Sequence, residues 1–596
     1  MTTSASTSRR TVLKGAAAAV AGSVTFRSFD AAAAAAPASN GIFGYGVASG
    51  DPTGTSVILW TRATPPPRHP GDPVATPGSG LGAPMPVEWE LAYDEKFRRL
   101  ARRGTVVTSP RSDHTVKVDV TGLRPYTRYY YRFRAQGRLS AVGRTQTAPD
   151  VPDTVHALRF GLVSCSNYTG GYFGAYRALA ARDDIDFVLH VGDYIYEYGN
   201  GADRYGPAAL IGKRDSQPAT ETIDLRGYRL RHALHKADAD LREAHRNHPW
   251  ITIFDDHEVA NNAWATGAEN HTPGTEGSFA ARRRQAYEAY LEWMPFRLPE
   301  QHKIPHQGTR FFKLFTFGRL GDLSVLETRQ NRSAQVDVAP FTTTGGGFIP
   351  TGVPAVDAAL ADPHRHLPDP PQLDWLKQTT ARRGRHWHLI GNQVVMTPVR
   401  FPGAALGLPA ALTLVNSDQW DGYQADQSSL LAHLAAQPPS HGDTVVLTGD
   451  IHSSWAMDMP VERTAGYESA GVEFVCPSVT SDGFYEAVRS TQPADSPTAP
   501  SLATTRGLTG AVTGANPWIK YLDGIGHGYA LIDVTVGRVQ ADFHLTPTPT
   551  DALPDPRIDA AVEPVYSSSW STVAGSRNVT PATGPVGPRS DHPAAR

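Results

Sequence analysis

Residues 189–198 read LHVGDYIYEY. The apolar run from Asp186 to Val191 predicts a buried strand, and this strand ends at Gly192. Asp193 follows at once, and Tyr196 comes three residues later. A carboxylate and a phenol are costly to bury, so their position after a buried strand indicates a polar site at the edge of a sheet.

Similar short apolar runs recur along the chain. They lie at 158–163, 187–191, 250–254, 323–326, 387–390 and 444–447, and helical segments at 175–181 and 224–244 separate some of them. Near-continuous apolar strands that alternate with helices are typical of the buried sheets of α/β proteins. We therefore predict a layered α/β sheet sandwich with helices over residues 157–548.

A different pattern precedes this region. Between residues 42 and 148, alternating runs at 57–60, 87–92, 115–120 and 129–134 are separated by Pro- and Gly-rich turns, which predicts a β-sandwich. The stretch Leu123-Arg-Pro-Tyr-Thr-Arg-Tyr129 resembles the segment of fibronectin type III domains in which a tyrosine hydroxyl closes a turn between two sheets. The resemblance implies a fibronectin III-like N-terminal domain.

The bulk composition excludes several classes of protein. A chain of 596 residues exceeds the size of one core, so two or more domains are expected. The formal net charge of −2 argues against a surface devoted to polyanions, and we expect no stable nucleic-acid partner. Two cysteines, Cys165 and Cys476, exclude a scaffold held by many disulfides, although one bridge between them is conceivable.

The N-terminus has the features of a targeting segment. Ser8-Arg9-Arg10 and Leu13-Lys14 precede a short, weakly apolar run, which is typical of a Tat export signal over residues 1–38. The alternative is a disordered basic tail. No other stretch approaches 18 apolar residues, so we expect a mature form that is not membrane-embedded and is secreted or held in the cell envelope or periplasm. The Tat translocation machinery is then a partner.

Three segments have the composition of irregular structure. Residues 333–372 and 485–518 are rich in Pro and Gly and predict surface loops. Residues 549–596 are rich in Pro, Ser, Thr and Ala, which predicts a C-terminal tail that is mobile or covers the site entrance.

Four predicted strand ends carry candidate ligands. Cys165 follows the first strand among polar residues, which suits a thiolate ligand, although a lone cysteine is more often a small core residue. Asp193 and Tyr196 offer hard oxygen donors, although an Asp helix cap with an aromatic packing residue is the simpler alternative.

The other two strand ends are richer in charge. The stretch Phe254-Asp-Asp-His-Glu-Val-Ala-Asn-Asn262 places four ionisable residues in a row after an apolar strand, which is costly unless a cation offsets their repulsion. Asp450 and His452 follow Gly449 at the end of the last strand. Ligands on successive strand ends predict a two- or three-metal hydrolytic centre.

The order of these motifs is similar to that of the metallophosphoesterases. G-D-x-x-Y and a D-H-E strand end resemble the purple acid phosphatases, and the chain resembles the alkaline phosphatase D (PhoD-type) family more closely, from about residue 42 to 545. The supporting stretches include 164–166, 190–196, 254–262, 327–330, 421–423, 447–452 and 475–481.

The resemblance implies a mixed-metal centre. Fe³⁺ would be held by Cys165, Asp193, Tyr196 and His452, and Asp193 would bridge to calcium. Two Ca²⁺ ions would be held by Asp450, Asp255 and Asp256, together with Asn261 or Asn262. The spacing of the sequence does not decide between the two asparagines. His257 stands where related enzymes place a histidine near the leaving group, so the implied catalytic residues are His257, Asp193 and Asp450.

The implied function is exported hydrolysis of phosphate esters. An alkaline phosphatase or phosphodiesterase of this kind releases phosphate from small phosphate-ester substrates when a metal-bound hydroxide or oxide attacks phosphorus. The alternatives are a nuclease or nucleotidase, a phospholipase D-like phosphodiesterase on the same scaffold, and a non-catalytic adhesion protein, which would leave the polar strand ends unexplained.

Two positions depart from the family pattern, and four others stay open. Glu327 stands where an aspartate is expected, and Cys476 replaces a residue that is more often not a thiol, so we interpret Cys476 as structural. Four further polar side chains either face the site or support it: Arg329, His386, Asn392 and Arg400.

Overall fold

The computed structural model describes residues 41–67, 69, 71–150, 155–297, 309–341, 347–493 and 495–589. The export signal predicted at 1–38 lies outside these residues. Within them, no helix combines the length and the apolar character that a membrane crossing requires.

The structure is a mixed α/β fold, as predicted. Its strands are β1 (Val47–Gly50), β2 (Val57–Arg62), β3 (Pro86–Ala92), β4 (Leu100–Val107), β5 (Thr115–Val120), β6 (Arg128–Ala135), β7 (Arg138–Leu139), β8 (Gly143–Gln146), β9 (Ala157–Val163), β10 (Phe187–His190), β11 (Pro249–Thr252), β12 (Lys313–Phe317), β13 (Gly321–Val325), β14 (Phe348–Pro350), β15 (Trp387–Asn392), β16 (Phe401–Pro402), β17 (Thr413–Asn416), β18 (Asp443–Thr448), β19 (Ser454–Pro460), β20 (Ser469–Val475), β21 (Ile519–Asp523), β22 (Gly528–Thr535), β23 (Arg538–Leu545), β24 (Val565–Val573) and β25 (Thr580–Pro581).

Ten α-helices accompany the strands in the described part of the chain. They are α1 (Gly174–Ala180), α2 (Leu225–Ala237), α3 (Ala239–Asn247), α4 (Pro273–Glu276), α5 (Phe279–Trp293), α6 (Pro354–Leu360), α7 (Pro370–Thr380), α8 (Gln424–Ala435), α9 (Phe484–Arg489) and α10 (Thr498–Ala515).

Two large sheets form the body of the molecule. The first has ten strands in the order β25-β24-β23-β22-β9-β10-β11-β1-β2-β5, and the second has seven in the order β12-β13-β15-β18-β20-β19-β21. Strands β9, β10 and β11 run parallel to one another, and so do β13, β15, β18 and β20. Each parallel block therefore gathers the carboxyl ends of its strands at one edge.

The main core lies between the two sheets. Apolar side chains of both sheets belong to one buried cluster, and Phe187 of β10 stacks on Phe317 of β12 with ring centroids 5.3 Å apart. Helices cover the outer face of the second sheet, where Leu376 of α7 and Leu430 of α8 pack with Ile390 of β15. Each such buried side chain contributes roughly 1.5–3 kcal/mol to the free energy of folding, which explains why the strand runs are almost wholly apolar.

The N-terminal sandwich shares one of its sheets with the main body. Strands β1, β2 and β5 extend the ten-stranded sheet, because β1 pairs in parallel with β11. The opposite sheet contains β4, β3, β6 and β7, with β8 paired to β6. Side chains from both sheets, including Leu59 and Phe133, fill the core between them. The Tyr129 hydroxyl accepts a hydrogen bond from the backbone N–H of Arg124 at 2.9 Å and so closes the turn before β6.

The C-terminal segment corrects our prediction of a tail. Strand β24 pairs antiparallel with β23 from Arg538 to Leu545, and β25 pairs with β24. Its composition is polar because most of β24 lies half-exposed or exposed, whereas Trp570 packs against the main core. Ser and Thr side chains are compatible with such an outer strand, and their abundance is therefore a poor guide to disorder.

Two further expectations from composition are wrong. The stretch 485–518 contains the 18-residue helix α10, and 333–372 contains β14 and α6. The helical segment expected at 224–244 is two helices, because Asp238 adopts an extended conformation. Its carboxylate caps α3 by accepting hydrogen bonds from the backbone N–H groups of Asp240 and Leu241.

Candidate metal centre

The predicted ligands converge where the two sheets meet. Cys165 follows β9, Asp193 follows β10, the stretch from Asp255 to Asn262 follows β11, and Asp450 and His452 follow β18 of the second sheet. All of these side chains are buried, with exposed fractions of 6% or less. The fold therefore brings together polar groups from four loops in a space that is largely closed to water.

The backbone at this site is unusual. Five of the predicted site residues have positive φ angles: Cys165 (61°), Asp193 (57°), Asn262 (52°), Asp450 (62°) and His452 (55°). This left-handed region is sparsely populated by non-glycine residues and costs on the order of 1–3 kcal/mol per residue. The surrounding structure thus holds strained backbone at the residues whose side chains meet.

The glycines before two of the aspartates are explained by close contacts. At Gly192 a Cβ atom would lie 2.3 Å from the Cβ of Asp255, and at Gly449 it would lie 2.6 Å from the Oγ of Ser164. Only glycine permits this approach between neighbouring loops. The G-D sequence after each strand is therefore a packing requirement of the centre.

The first group of donors contains sulfur, oxygen and nitrogen. Ligand atoms of Cys165, Asp193 and His452 all lie within 4.8 Å of one another. The Tyr196 hydroxyl donates to Asp193 Oδ2 at 2.9 Å and lies 3.4 Å from His452 Nε2. Burial, together with the charge of Asp193, raises the pKa of both the Cys165 thiol and the Tyr196 phenol well above their usual range. A neighbouring cation would favour the thiolate and the phenolate here.

Two further groups are dominated by carboxylates. Donor atoms of Asp193, Asp256 and His257 lie within 4.8 Å of one another, and so do those of Asp255, Asp256 and Asp450. Burial raises the pKa of Asp193 and of Asp255 well above the usual range, and the neighbouring carboxylates add to this effect. The protein alone therefore disfavours the charged form of these acids, whereas cations bound among them would favour it.

The two asparagines share an orienting partner. Glu269 Oε2 accepts hydrogen bonds from Asn261 Nδ2 at 3.0 Å and from Asn262 Nδ2 at 2.6 Å, so both amide groups turn their nitrogens toward Glu269. The Oδ1 of Asn261 and the Nε2 of His257 are buried and have no hydrogen-bond partner among the described residues. Such unsatisfied atoms are what a cation or a substrate would satisfy, and the donor set therefore fits bound metal ions.

An arginine that sequence reasoning left open enters the site. Arg329 Nη1 donates to Asp418 Oδ2 at 3.0 Å, Nη2 donates to Asp450 Oδ1 at 3.1 Å, and Nε donates to Asp255. Arg329 and Arg332 lower the pKa of Asp418 to about 2 despite its burial. Asp418 was not predicted, although the stretch Asn-Ser-Asp-Gln directly after the apolar run of β17 could have indicated it.

Backbone clamps hold the ligand loops in place. The Glu258 carboxylate accepts hydrogen bonds from the backbone N–H groups of Asp193 (3.0 Å), Tyr194 (2.6 Å) and Asp255 (2.7 Å) and thereby joins the loops after β10 and β11. Sequence reasoning counted Glu258 only as one of four charges in a row. Two of its three partners, Asp193 and Tyr194, lie 65 and 64 residues away, and no local pattern indicates them.

A second clamp comes from the loop after β20. Ser481 Oγ lies 2.6 Å from the Tyr196 hydroxyl and 3.0 Å from the carbonyl oxygen of Cys165. His452 Nδ1 lies 2.8 Å from the carbonyl oxygen of Asp482, to which it donates, so that Nε2 faces the site. This loop therefore contacts three of the four residues in the predicted iron site.

The remaining open residues lie outside the centre. Glu327 accepts hydrogen bonds from the backbone N–H groups of Arg329 and Gln330 and so stabilises the turn that carries Arg329. Asn392 bonds within its own strand region, Arg400 bonds the Arg463 carbonyl, and His386 lies on the surface. Cys476 is buried in the main core, and neither Cys476 nor Cys165 forms a disulfide.

Known proteins resemble this chain over most of its length. A model of the PhoD-like phosphatase family matches residues 160–543, and a model of the PhoD-like phosphatase N-terminal domain matches residues 30–149. Alkaline phosphatase D of Bacillus subtilis (strain 168) is 34% identical over 546 residues, which cover 91% of this chain and 83% of that protein.

A solved structure agrees with the sequence comparison. It is described as the structure of PhoD, is 30% identical in sequence, and superposes with a TM-score of 0.74 over 92% of this chain and 93% of that one. Because the family model spans more than half of the chain and the curated relative exceeds 30% identity, the chain belongs to the PhoD-like phosphatase family.

Proposed function

We propose that this chain is an exported alkaline phosphatase or phosphodiesterase whose centre holds one Fe³⁺ and two Ca²⁺ ions. The chain is a phosphoester hydrolase by family. One observation carries the proposal for the metals: a thiol, two imidazoles and four aspartates meet in three overlapping groups, within each of which the donor atoms lie within 4.8 Å of one another. The Tyr196 phenol joins the first group through its 2.9 Å contact with Asp193.

The first group suits a trivalent ion. Tyr196 and Asp193 would supply hard oxygen donors, Cys165 would supply sulfur as a thiolate once the ion is bound, and His452 would supply a nitrogen whose orientation is fixed by Asp482. The second and third groups offer carboxylate oxygens from Asp255, Asp256 and Asp450, with an amide oxygen of Asn261 or Asn262. Oxygen donors in flexible numbers are what Ca²⁺ prefers.

The bound cations would neutralise the phosphate oxygens and lower the pKa of a coordinated water. The chain itself supplies the remaining functions. Asp193 and Asp256 each belong to two donor groups, so each would help to hold more than one ion. The guanidinium of Arg329 limits the repulsion between Asp255 and Asp450, and burial of the whole cluster keeps competing water away from a bound ester.

His257 is the candidate for proton transfer to the leaving group. Its ring is buried, its Nδ1 lies 2.7 Å from Glu197 Oε2, and its Nε2 has no hydrogen-bond partner among the described residues. Although burial opposes it, the charges of Glu197, Asp256 and Asp193 raise the pKa of His257 to about 10.

The test combines metal analysis with two substrates. Purified protein should contain iron and calcium, hydrolyse p-nitrophenyl phosphate, its bis-ester or both, and lose activity on chelation. A nuclease or phospholipase would instead prefer nucleic acid or phospholipid, and a binding protein would release nothing. Protein that contains neither metal and remains active in chelator would contradict the metal assignment.

Export and the nature of the N-terminal domain complete the proposal. The twin-arginine pattern of residues 1–38 supports export by the Tat pathway to the envelope, the periplasm or the medium, and small phosphate esters are the expected substrates. Replacing Arg9 and Arg10 by lysine should retain the protein inside the cell. The hydrogen bond between Tyr129 and Arg124 supports a fibronectin III-like sandwich.

A further inference from the structure

A surface cavity lies at the end of the second sheet that is opposite to the metal centre. Its volume is about 390 Å³. Its walls come from the turn between β12 and β13, from the loops that precede β15 and β18, and from the turn that follows β24. Pockets that bind small molecules in proteins have volumes of about 300–1,000 Å³. The cavity is therefore large enough for a small organic ligand.

The position of this cavity in the sheet separates it from the metal centre. Asp443 lines the cavity and begins β18, whereas Asp450 follows the end of the same strand, seven residues later. Because a strand rises about 3.3 Å per residue, the two aspartates lie about 20 Å apart. A small molecule bound in the cavity would not reach the predicted metal ligands, so the proposed function does not account for the cavity.

Cationic side chains dominate the polar part of the lining. Arg319, Arg385 and His386 all face this space. The lining also contains Asp443, but its carboxylate is already engaged. Its Oδ1 accepts a hydrogen bond from Nε of Arg577 at 3.2 Å, and its Oδ2 accepts one from a backbone N–H group. The negative charge of Asp443 is therefore paired with an arginine outside the lining.

The positive charges of the lining are only partly compensated. Nε of Arg385 lies 3.0 Å from Oδ1 of Asp322, and Nη1 of Arg382 lies 3.1 Å from Oδ2 of the same carboxylate, so one negative charge faces two positive ones. Arg319 and His386 are exposed, and within the described part of the chain their side chains make no hydrogen bond or ion pair. Positive charge is thus in excess here, although the whole chain has a formal net charge of −2.

We propose that this cavity binds an organic phosphate, that is, a phosphate group attached to a small organic part. Guanidinium groups suit phosphate because their N–H groups can donate in pairs to its oxygens. The donors of Arg319, Arg385 and His386 come from separate segments, and the hydroxyl of Ser440 adds a further one. Such a set suits the several oxygens of a tetrahedral anion better than the two oxygens of a carboxylate.

The remainder of the lining suits the organic part of the ligand. Pro439 and Ala574 lie in the same cavity and offer apolar surface. Orthophosphate alone would leave most of the 390 Å³ unfilled, whereas a phosphate that carries a ring or a short chain would also contact these residues. The inference does not depend on the proposed function, because none of the lining residues belongs to the metal centre.

The probe for this site is phenylphosphonate, whose P–C bond a phosphate-ester hydrolase does not cleave. Isothermal titration calorimetry of the metal-loaded protein measures its binding, and inhibition of p-nitrophenyl phosphate hydrolysis reports its binding at the centre separately. Arg319→Gln should weaken the binding in the cavity about 10-fold or more, because it removes a charged donor. The inhibition constant should stay unchanged, because Arg319 lies at the opposite end of the sheet.

Two further variants complete the experiment. His386→Ala should also weaken the binding in the cavity, and both substitutions are at exposed positions, where folding is expected to be unaffected. The matched control is Arg284→Gln, which removes the same charge from an exposed position of α5 and should bind phenylphosphonate as the wild type does. Thermal unfolding midpoints show that the variants are folded.

Three results would overturn the proposal. Unchanged affinity in both Arg319→Gln and His386→Ala would mean that the cavity is not the binding site. Equal weakening in Arg284→Gln would indicate a general attraction of anions to the surface. Orthophosphate that binds the cavity as tightly as phenylphosphonate would identify the ligand as free phosphate, whereas weaker binding of orthophosphate supports an organic phosphate. Wild-type protein without hydrolytic activity would refute the proposed function and leave the binding in the cavity unaffected.

Discussion

Nη2 of Arg329 lies 3.1 Å from Oδ1 of Asp450, although 121 residues separate them in the chain. The same guanidinium contacts Asp255 and Asp418, so one buried cation links the loops that follow β11, β13, β17 and β18. Burial lowers the pKa of Arg329, but the charges of four acidic residues outweigh this effect and raise the pKa well above its usual range. These residues are Asp255, Asp256, Asp418 and Asp450.

Replacing Arg329 by Gln should therefore destabilise the protein. Removing one partner of a buried ion pair leaves carboxylates without compensation and costs about 3–5 kcal/mol. We expect the thermal unfolding midpoint to fall, and to recover in part when calcium replaces chelator in the buffer, because bound cations would compensate the same carboxylates.

The matched control for this variant is Arg385→Gln. Arg385 pairs with the buried Asp322 at 3.0 Å, at the opposite end of β13. Its loss should lower stability equally with calcium and with chelator. A calcium-independent loss in Arg329→Gln as well would argue against a cation site among Asp255, Asp256 and Asp450.

Tyr196→Phe should remove the visible absorption that a phenolate bound to Fe³⁺ produces by charge transfer. The phenol lies 2.9 Å from Asp193 and 3.4 Å from His452, within the first donor group. Absorption spectra of iron-loaded protein check this. Tyr198→Phe, two positions further on, should keep the band, and a band that survives in Tyr196→Phe would mean that another tyrosine, or none, binds the metal.

Arg557→Gln should weaken iron retention, although the substitution changes none of the predicted metal ligands. Arg557 Nη1 donates to the Thr480 carbonyl at 2.8 Å and to Asp482 Oδ1 at 2.9 Å, and so fixes the loop that contacts Cys165, Tyr196 and His452. We expect iron to be lost to a competing chelator at least about 10-fold faster, in line with the effect of other partners that orient metal ligands.

The control for Arg557 is Arg177 of α1, which contacts the same C-terminal segment. Arg177 bonds Glu563 and the carbonyl oxygen of Val562, and among the described residues its other hydrogen bonds go to Asp240 and Ala560 rather than to residues 480–482. Arg177→Gln should loosen this segment slightly and leave the rate of iron loss unchanged. Equal acceleration in both variants would indicate general destabilisation.

Lys236→Met should stabilise the protein at neutral pH. Lys236 is 1% exposed, and burial lowers its pKa well below the usual value of 10.5. Between the pKa of Lys236 in the folded protein and its usual value of 10.5, Lys236 is protonated in the unfolded chain but neutral in the folded chain. The free energy of unfolding of the wild type therefore rises with pH in this range. The slope that Lys236 contributes approaches about 1.4 kcal/mol per pH unit.

The measurement is the free energy of unfolding in urea between pH 7 and 10. The advantage of Lys236→Met over wild type should be largest at pH 7 and shrink toward pH 10. Lys96→Met, at an exposed position, should follow the wild-type curve. A constant difference between Lys236→Met and wild type would mean that Lys236 stays charged in the folded state.

Much of the layered fold could be predicted because its central strands are apolar on both faces. The runs expected at 158–163 and 444–447 lie within β9 and β18. The elements missed are those whose partners do not show in the local sequence. The strand β24 is rich in serine and half-exposed, and α10 carries threonines and glycines that also suit loops.

In the candidate site, too, residues that a local sequence pattern indicates differ from residues whose role depends on distant partners. Cys165, Asp193, Asp450 and His452 stand directly after predicted strands, so a local pattern was enough to single them out. Asp418, Arg329 and Glu197 act through contacts with loops distant in sequence, such as the 60 residues between Glu197 and His257. Such pairings depend on the order of strands in the two sheets, which hydrophobic periodicity does not encode.

Arg557 follows all of the predicted metal ligands in the sequence, which has a consequence for biosynthesis. Its guanidinium holds the loop at residues 480–482 through hydrogen bonds to Thr480 and Asp482. Strand β24 follows Arg557 in the sequence and pairs with β23 of the first sheet. A nascent polypeptide therefore cannot assemble a finished centre until translation has passed this arginine. A ribosome-bound chain arrested before residue 557 is therefore expected to take up iron poorly.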